Sequence, residues 1–153
     1  MFWTHIYDLI FKLITLIGTI VIMDKLTSIE NITGTQNNDI ITASSSSVNE
    51  LNGEAGDDIF YETSTGIAGD KIDGGGDTDT VNYQQLNSGI NVTLNSSTYA
   101  TVTVGTTTHE IKDIENITGT NSKDVIIGDI GNNSLFGGAN DDTLGGGTGS
   151  NTL

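Results

Sequence analysis

The sequence contains neither cysteine nor proline, and basic residues are scarce. Without cysteine, no disulfide bond and no thiolate-ligated zinc site can form. Five Lys and Arg residues stand against 20 Asp and Glu residues, which gives a formal net charge of −15. Nucleic-acid binding relies on basic side chains that neutralise phosphates, so this composition argues against a nucleic-acid partner. The carboxylates repel one another and weaken a compact state unless bound cations offset them.

Conventional catalytic groups are also few. The chain has two histidines, His5 in an apolar N-terminal stretch and His109 next to Glu110. A hydrolytic triad needs a base that an acid orients toward a nucleophile, and the serine run 44–47 is more simply a loop. Adjacent carboxylates such as Asp57–Asp58 are compatible with glycosidase chemistry, but they fall inside a repeated turn. We therefore predict a protein that is not an enzyme and interpret His109 as an ordinary surface side chain.

A nine-residue period is the dominant positive feature of the chain. Most frames open on a turn that contains glycine, and in every frame Asp or Asn stands sixth and a large apolar residue stands eighth. Nine frames fit, at 34–42, 44–52, 53–61, 65–73, 74–82, 119–127, 128–136, 137–145 and 146–153. Their eighth residues are Ile41, Leu51, Phe60, Ile72, Val81, Ile126, Leu135, Leu144 and Leu153. A fixed short period is typical of a solenoid, and this one predicts an all-β fold, a parallel β-roll.

The period also predicts where metal ligands stand. Six residues form a turn, in which glycines permit positive φ, and three form a short strand whose apolar eighth residue points inward. The sixth side chain then faces a neighbouring turn, and hard oxygen ligands at this density suit Ca²⁺. The predicted metal ligands are Asp39, Asp58, Asp70, Asp79, Asp124, Asp142, Asn49, Asn133 and Asn151. We expect the asparagine positions to bind weakly or to be only structural, because they lack the charge.

The frames resemble the RTX, or haemolysin-type, calcium-binding nonapeptide G-G-x-G-x-D-x-U-x. The best matches are GEAGDDIFY (53–61), GGGDTDTVN (74–82) and GGANDDTLG (137–145), and the resemblance covers about residues 27–153. It implies a Ca²⁺-loaded β-roll from a secreted, extracellular bacterial protein, with the type I secretion machinery as a partner of the parent protein. Glu54 departs from the pattern by replacing a glycine, as do Asp77 and Asn140 at the fourth position.

A second, longer sequence repeat overlaps the nine-residue frames. SIENITGTQNNDIIT (28–42) recurs as DIENITGTNSKDVII (113–127), and each copy leads into a block of frames. This lead-in is similar to one found in large RTX adhesins and toxins. We therefore predict a first roll block at 26–82 and a second at 119–153.

The intervening segment 83–118 breaks the nine-residue period. Apolar residues alternate with polar ones around Ile90–Leu94 and Val102–Val104, which predicts strands with one buried face. We interpret the segment as an inserted β-hairpin or as wider coils that continue the solenoid. The alternative is a protrusion that binds a ligand.

Residues 1–25 are strongly apolar and differ from the repeats. Their polar residues recur at helical spacing, at Thr4, Asp8, Lys12, Thr15 and Thr19. This pattern predicts an apolar N-terminal helix, interpreted as a cap on the exposed end of the solenoid. A membrane or export segment, or a stretch foreign to the domain, are the alternatives.

The expected function is calcium binding by a calcium-dependent folding module of a secreted protein. The last frame is one residue short and no type I secretion signal is evident, which suggests a piece of a longer array. Two other functions remain open. One is an adhesion or carbohydrate-binding module of a surface protein, with a cell-surface or carbohydrate ligand. The other is an accessory module of a secreted enzyme whose catalytic domain is absent.

Overall fold

The computed structural model describes residues 31–43, 48–63 and 69–153. These residues form strands, turns and irregular segments, and they contain no helix. The helix predicted over residues 1–25 lies outside the described residues. Across the three described ranges, no helix is long and apolar enough to cross a membrane.

Thirteen strands are formed by the described residues, most of them three residues long. In chain order they are β1 (Asn31–Thr33), β2 (Ile40–Thr42), β3 (Glu50–Asn52), β4 (Ile59–Tyr61), β5 (Lys71–Asp73), β6 (Thr80–Asn82), β7 (Ile90–Thr93), β8 (Ala100–Val104), β9 (Thr107–Lys112), β10 (Asn116–Thr118), β11 (Val125–Ile127), β12 (Ser134–Phe136) and β13 (Thr143–Gly145). Short strands separated by glycine-rich turns are the pattern that the nine-residue period predicts.

The strands build two sheets, and the repeat strands alternate between them. One sheet has eight strands in the order β1-β3-β5-β9-β8-β7-β11-β13, and the other has five in the order β12-β10-β6-β4-β2. Neighbouring repeat strands pair in parallel with equivalent frame positions opposite one another, as in Ile41↔Phe60 and Phe60↔Val81. Two successive frames therefore make one coil, which confirms the parallel β-roll.

The eighth residues of the frames stack between the two sheets. Phe60, Ile72, Val81 and Ile126 are completely buried, and Ile41, Leu51 and Leu135 are nearly so. Leu144 is only partly buried against this core. The expectation of burial is wrong for Leu153, which is 62% exposed because no described strand packs over the last coil.

The segment between the blocks continues the eight-stranded sheet. Strand β8 lies antiparallel between β7 and β9, and β9 and β7 pair in parallel with the roll strands β5 and β11. The alternation predicted from sequence is observed, since Ile90, Val92, Val102 and Val104 are buried. In the five-stranded sheet, β6 pairs directly with β10. The inserted strands therefore widen one sheet and leave the other uninterrupted.

The two copies of the long repeat lie in opposite sheets. The lead-in strand β1 belongs to the eight-stranded sheet, whereas its sequence equivalent β10 belongs to the five-stranded sheet. All three inserted strands lie in one sheet, so the chain enters the second copy half a coil out of phase with the first. Equivalent turn residues such as Asp39 and Asp124 consequently lie on opposite edges of the roll.

Candidate metal centre

The turns are arranged along two edges of the roll. The first edge comprises the turns that run from the eight-stranded to the five-stranded sheet, and the second edge comprises those that run back. The first edge carries Asp39, Asp58, Asp79, Glu115, Asn133 and Asn151. The second edge carries Asn49, Asp70, Asp124 and Asp142. The predicted ligands therefore lie in two columns, each a line of equivalent turn positions.

Along the edges, backbone N–H groups of one coil donate to side-chain oxygens in the turn of the neighbouring coil. On the first edge, the Asp39 N–H donates to Asp58 Oδ1 at 2.8 Å, and the Asp58 N–H donates to Asp79 Oδ1 at 2.8 Å. The Asn133 N–H donates to Asn151 Oδ1 at 2.8 Å in the same way. These bonds fix the spacing between coils and bring the sixth residues of alternate frames next to one another.

The second edge repeats this arrangement in two separate pairs. The Asn49 N–H donates to Asp70 Oδ1 at 2.6 Å, and the Asp124 N–H donates to Asp142 Oδ1 at 2.9 Å. Between the pairs, the inserted strands take the place of further coils. The first edge is thus continuous through both blocks, while the second is interrupted.

The second carboxylate oxygen accepts a hydrogen bond at some turn positions and has no partner at others. Asp39 Oδ2 accepts a bond from the Thr35 N–H at 2.6 Å, and Asp124 Oδ2 accepts one from the Thr120 N–H at 2.7 Å. Asp58 Oδ2 and Asp79 Oδ2 are buried and have no hydrogen-bond partner. Burying an unpaired polar atom is costly.

Each unpaired oxygen faces the bare Cα of a glycine. A Cβ added to Gly53 would collide with Asp58 Oδ2 and would lie 2.5 Å from the carbonyl oxygen of Gly74. A Cβ added to Gly74 would lie 2.5 Å from Asp79 Oδ2 and would collide with the carbonyl oxygen of Asp113. A carboxylate oxygen and a carbonyl oxygen from the next coil thus converge where these glycines lack a side chain.

Burial makes these carboxyl groups difficult to ionise without a cation. It raises the pKa of Asp58 to about 6, with the nearby Asp39 carboxylate as a further cause. It raises the pKa of Asp79 to about 7, with contributions from Asp58 and Glu115. In the described part of the chain, the lysine ion pairs engage other carboxylates and none reaches Asp58 or Asp79. A bound cation would offset the repulsion along this edge.

The donor set fits calcium. Among the described residues, no group of three or more His, Cys, Asp or Glu side chains is placed to hold a metal ion. A site here must therefore combine one or two carboxylates with backbone carbonyl oxygens. Ca²⁺ accepts both ligand types, whereas the usual zinc sites are built from several Cys, His or carboxylate side chains.

Comparison with known families supports this chemistry. The family model for the RTX calcium-binding nonapeptide repeat, in four copies, matches residues 33–61 and 118–153. These two segments are similar to RTX repeats. RTX repeats bind calcium as a family property and are generally structural rather than catalytic modules. No curated protein matches the sequence.

Glu115 also occupies a turn position of the first edge, although it was not among the predicted metal ligands. Glu115 Oε2 accepts a bond from the Asp79 N–H at 2.9 Å, and its carbonyl accepts one from Asn133 Nδ2 at 3.1 Å. Extending the nine-residue phase one frame back from Gly119 places Glu115 sixth and Ile117 eighth. The period therefore contained the information that would have identified this residue.

The interpretation of His109 as a surface side chain is wrong. His109 is 5% exposed, and its Nε2 lies 2.9 Å from the Tyr83 hydroxyl. Burial lowers its pKa to about 4. Glu110, on the same strand, instead pairs with Lys71 on the outer face, so it does not orient the imidazole. Strand alternation explains this, because His109 lies two residues before the buried Ile111 on β9 and pairs with the buried Val102 on β8, so its side chain also points inward.

A buried carboxyl group lies in the same region. Glu62 is 2% exposed and its Oε1 has no hydrogen-bond partner. Burial, reinforced by the charge of Asp70, raises its pKa from 4.5 to about 8. The folded chain therefore keeps a proton on Glu62 at pH values where the unfolded chain releases it.

Glu62→Gln is expected to stabilise the roll increasingly as the pH rises from 4.5 to about 8. A folded pKa above the unfolded value stabilises the fold at low pH, and that contribution is lost as the pH rises. The loss amounts to about 1.4 kcal/mol per pH unit, and glutamine does not incur it. Urea unfolding in saturating calcium at both ends of this interval measures the effect. Exposed Glu50 provides the control Glu50→Gln. Identical pH dependence in both variants would contradict the assignment.

Proposed function

We propose that this chain is a calcium-dependent folding module of a secreted protein, and that the sixth residues of its frames hold the ions. The observation that carries the proposal is the convergence of the unpaired, buried Asp58 Oδ2 with the Gly74 carbonyl at the bare Cα of Gly53. Two oxygens held together without a proton donor form an unfavourable arrangement that a divalent cation relieves.

The turn positions along the two edges differ in their expected affinity for calcium. On the first edge, Asp39, Asp58 and Asp79 supply a charged column within the first block. On the second edge, Asp124 and Asp142 supply the charged pair of the second block. Positions with asparagine are weaker because an amide oxygen brings no formal charge. They are Asn49, which shares its site with Asp70, and the pair Asn133 and Asn151.

The charge of the chain supports a folding role. With a formal net charge of −15, aligned carboxylates oppose compaction until cations bind. The parent protein would cross the cell envelope unfolded through the type I secretion machinery. It would then fold outside the cell, where calcium is abundant.

Asp58→Asn is expected to weaken calcium binding far more than Asp57→Asn. Both variants remove one negative charge from the same turn, and both keep an oxygen that can accept a hydrogen bond. Asp58 is buried with an unpaired oxygen, whereas Asp57 is exposed and accepts a bond from the Thr78 N–H at 3.0 Å. Isothermal titration of each full chain with CaCl₂ gives the affinity and the number of sites. Equal losses in the two variants would show that only overall charge matters and would refute the site.

A further inference from the structure

The sequence contains a single asparagine that precedes a glycine, Asn52 before Gly53 at the end of β3. The backbone nitrogen of the residue after an asparagine can attack the asparagine side-chain carbonyl, and glycine permits this most readily because it has no Cβ and little conformational restriction. Every other asparagine precedes a residue with a side chain, as in Asn91–Val92, where a β-branched residue crowds the nitrogen. Asn52 is therefore the asparagine most prone to deamidation in an unfolded chain.

The folded roll engages both reacting groups in hydrogen bonds. The Gly53 N–H donates to the Asp73 carbonyl at 2.9 Å. Asn52 Nδ2 donates to Glu54 Oε1 at 3.0 Å, and Asn52 Oδ1 accepts a bond from the Glu54 N–H at 3.1 Å. Strand β3 also lies between β1 and β5, so it is paired on both sides. The attack needs a free Gly53 nitrogen and a side chain turned toward it, and it therefore requires this part of the roll to open.

A carboxylate at position 52 would weaken the folded roll. The register of β3 and β5 places residue 52 directly opposite Asp73. Like charges at directly opposite positions destabilise a sheet. Lys112 Nζ, which lies 2.6 Å from Asp73 Oδ2, is already shared with Asp113. Conversion of the Asn52 amide to a carboxylate therefore adds repulsion to an acidic part of the sheet.

Isoaspartate, the second product of deamidation, would disturb the neighbouring turn as well. It adds one methylene group to the main chain between residues 52 and 53, so the ladder bond of the Gly53 N–H loses its geometry. Gly53 is also the place where Asp58 Oδ2 and the Gly74 carbonyl converge. A longer main chain displaces Gly53 from that position, so this product impairs both the strand and the turn that follows it.

We propose that Asn52–Gly53 is a deamidation site that the folded roll protects and that unfolding exposes, and that its reaction removes the capacity of the chain to fold. This inference rests on the proposed function, in which lack of calcium keeps the chain unfolded. The Gly53 nitrogen forms a bond to Asn52 Cγ, the bond from Cγ to Nδ2 breaks, and ammonia leaves with the Gly53 proton. Water then opens the cyclic imide at either carbonyl. One water is consumed and one ammonia is released for each conversion.

Peptide mass spectrometry of the full chain tests the protection. The chain is incubated in calcium, in EGTA, and in urea with EGTA, at the same pH and temperature. We expect Asn52 to react in EGTA and in urea, and to react more slowly in calcium by at least about tenfold, the factor that a local opening free energy of about 1.4 kcal/mol produces. Asn91 is the control within the same chain and should react little under all three conditions.

Two outcomes of this experiment separate the inference from the proposed function. Equal rates at Asn52 in calcium and in urea would overturn the inference, because folding would then give no protection. Protection that is as strong in EGTA as in calcium, with reaction in urea, would support the protected site and contradict calcium-dependent folding.

Refolding after incubation tests the consequence. The wild type held in EGTA is expected to recover progressively less β structure when calcium is added, as measured by circular dichroism. Asn52→Gln should keep its recovery, because glutamine retains the neutral amide and closes a ring with the next nitrogen much more slowly. If this variant does not fold, the deamidated wild-type fraction, separated by its added negative charge, replaces it and should recover less structure than the unreacted fraction. Equal recovery in the compared samples would overturn the inference.

Discussion

Removal of calcium is expected to unfold the chain. The interior is a thin stack of single apolar residues, and both edges bring carboxylates close together. Each site held at a hundredfold excess over its Kd stabilises the folded state by about 2.7 kcal/mol. Domains are stable by only about 5–15 kcal/mol in total. A few occupied sites therefore decide whether the roll is folded.

Far-UV circular dichroism with EGTA, followed by millimolar calcium, measures this transition. We expect a largely disordered spectrum in EGTA and a β spectrum after calcium is added. Magnesium at the same concentration is the control. It is expected to restore little structure, because Mg²⁺ dehydrates reluctantly and demands near-ideal octahedral geometry. A β spectrum in EGTA that calcium leaves unchanged would contradict the folding role.

Gly53→Ala is expected to cause the second large effect. A Cβ at this position would collide with Asp58 Oδ2 and lie 2.5 Å from the Gly74 carbonyl, so the added atom fills the space where the two oxygens converge. Overpacking of this kind typically costs about 1–3 kcal/mol. The loss of the adjacent calcium site adds to that cost.

Gly76→Ala is the matched control for this substitution. A Cβ there would meet only the Glu54 carbonyl oxygen, at an unstrained 3.8 Å. Urea unfolding in saturating calcium and the calcium midpoint of folding should both change strongly in Gly53→Ala and little in Gly76→Ala. Equal behaviour of the two variants would mean that the space at Gly53 has no special role.

The repeat period predicted most of the fold because one physical rule applies to every frame. An apolar eighth residue must point inward in a three-residue strand, and the buried positions of Phe60, Ile72 and Val81 confirm it. The same period explains why Asp39, Asp58 and Asp79 stack on one edge, since two frames make one coil. Local spacing is sufficient for these statements, since each coil contacts only its neighbours.

Features that depend on long-range pairing could not be predicted in this way. Alternation indicated strands in the inserted segment, but it did not show that β8 lies between β7 and β9 in one sheet. That choice sets the half-coil offset between the blocks, and with it the edge on which Asp124 lies. The burial of His109 follows from the same pairing.

Calcium at the first edge is the central claim, and diffraction from crystals grown with calcium tests it most directly. We predict a bound ion between Asp58 Oδ2 and the Gly74 carbonyl, and weaker or no density beside Asn133 and Asn151. Anomalous scattering would distinguish calcium from water at each position. A folded roll with no ion beside Asp58 would contradict the account.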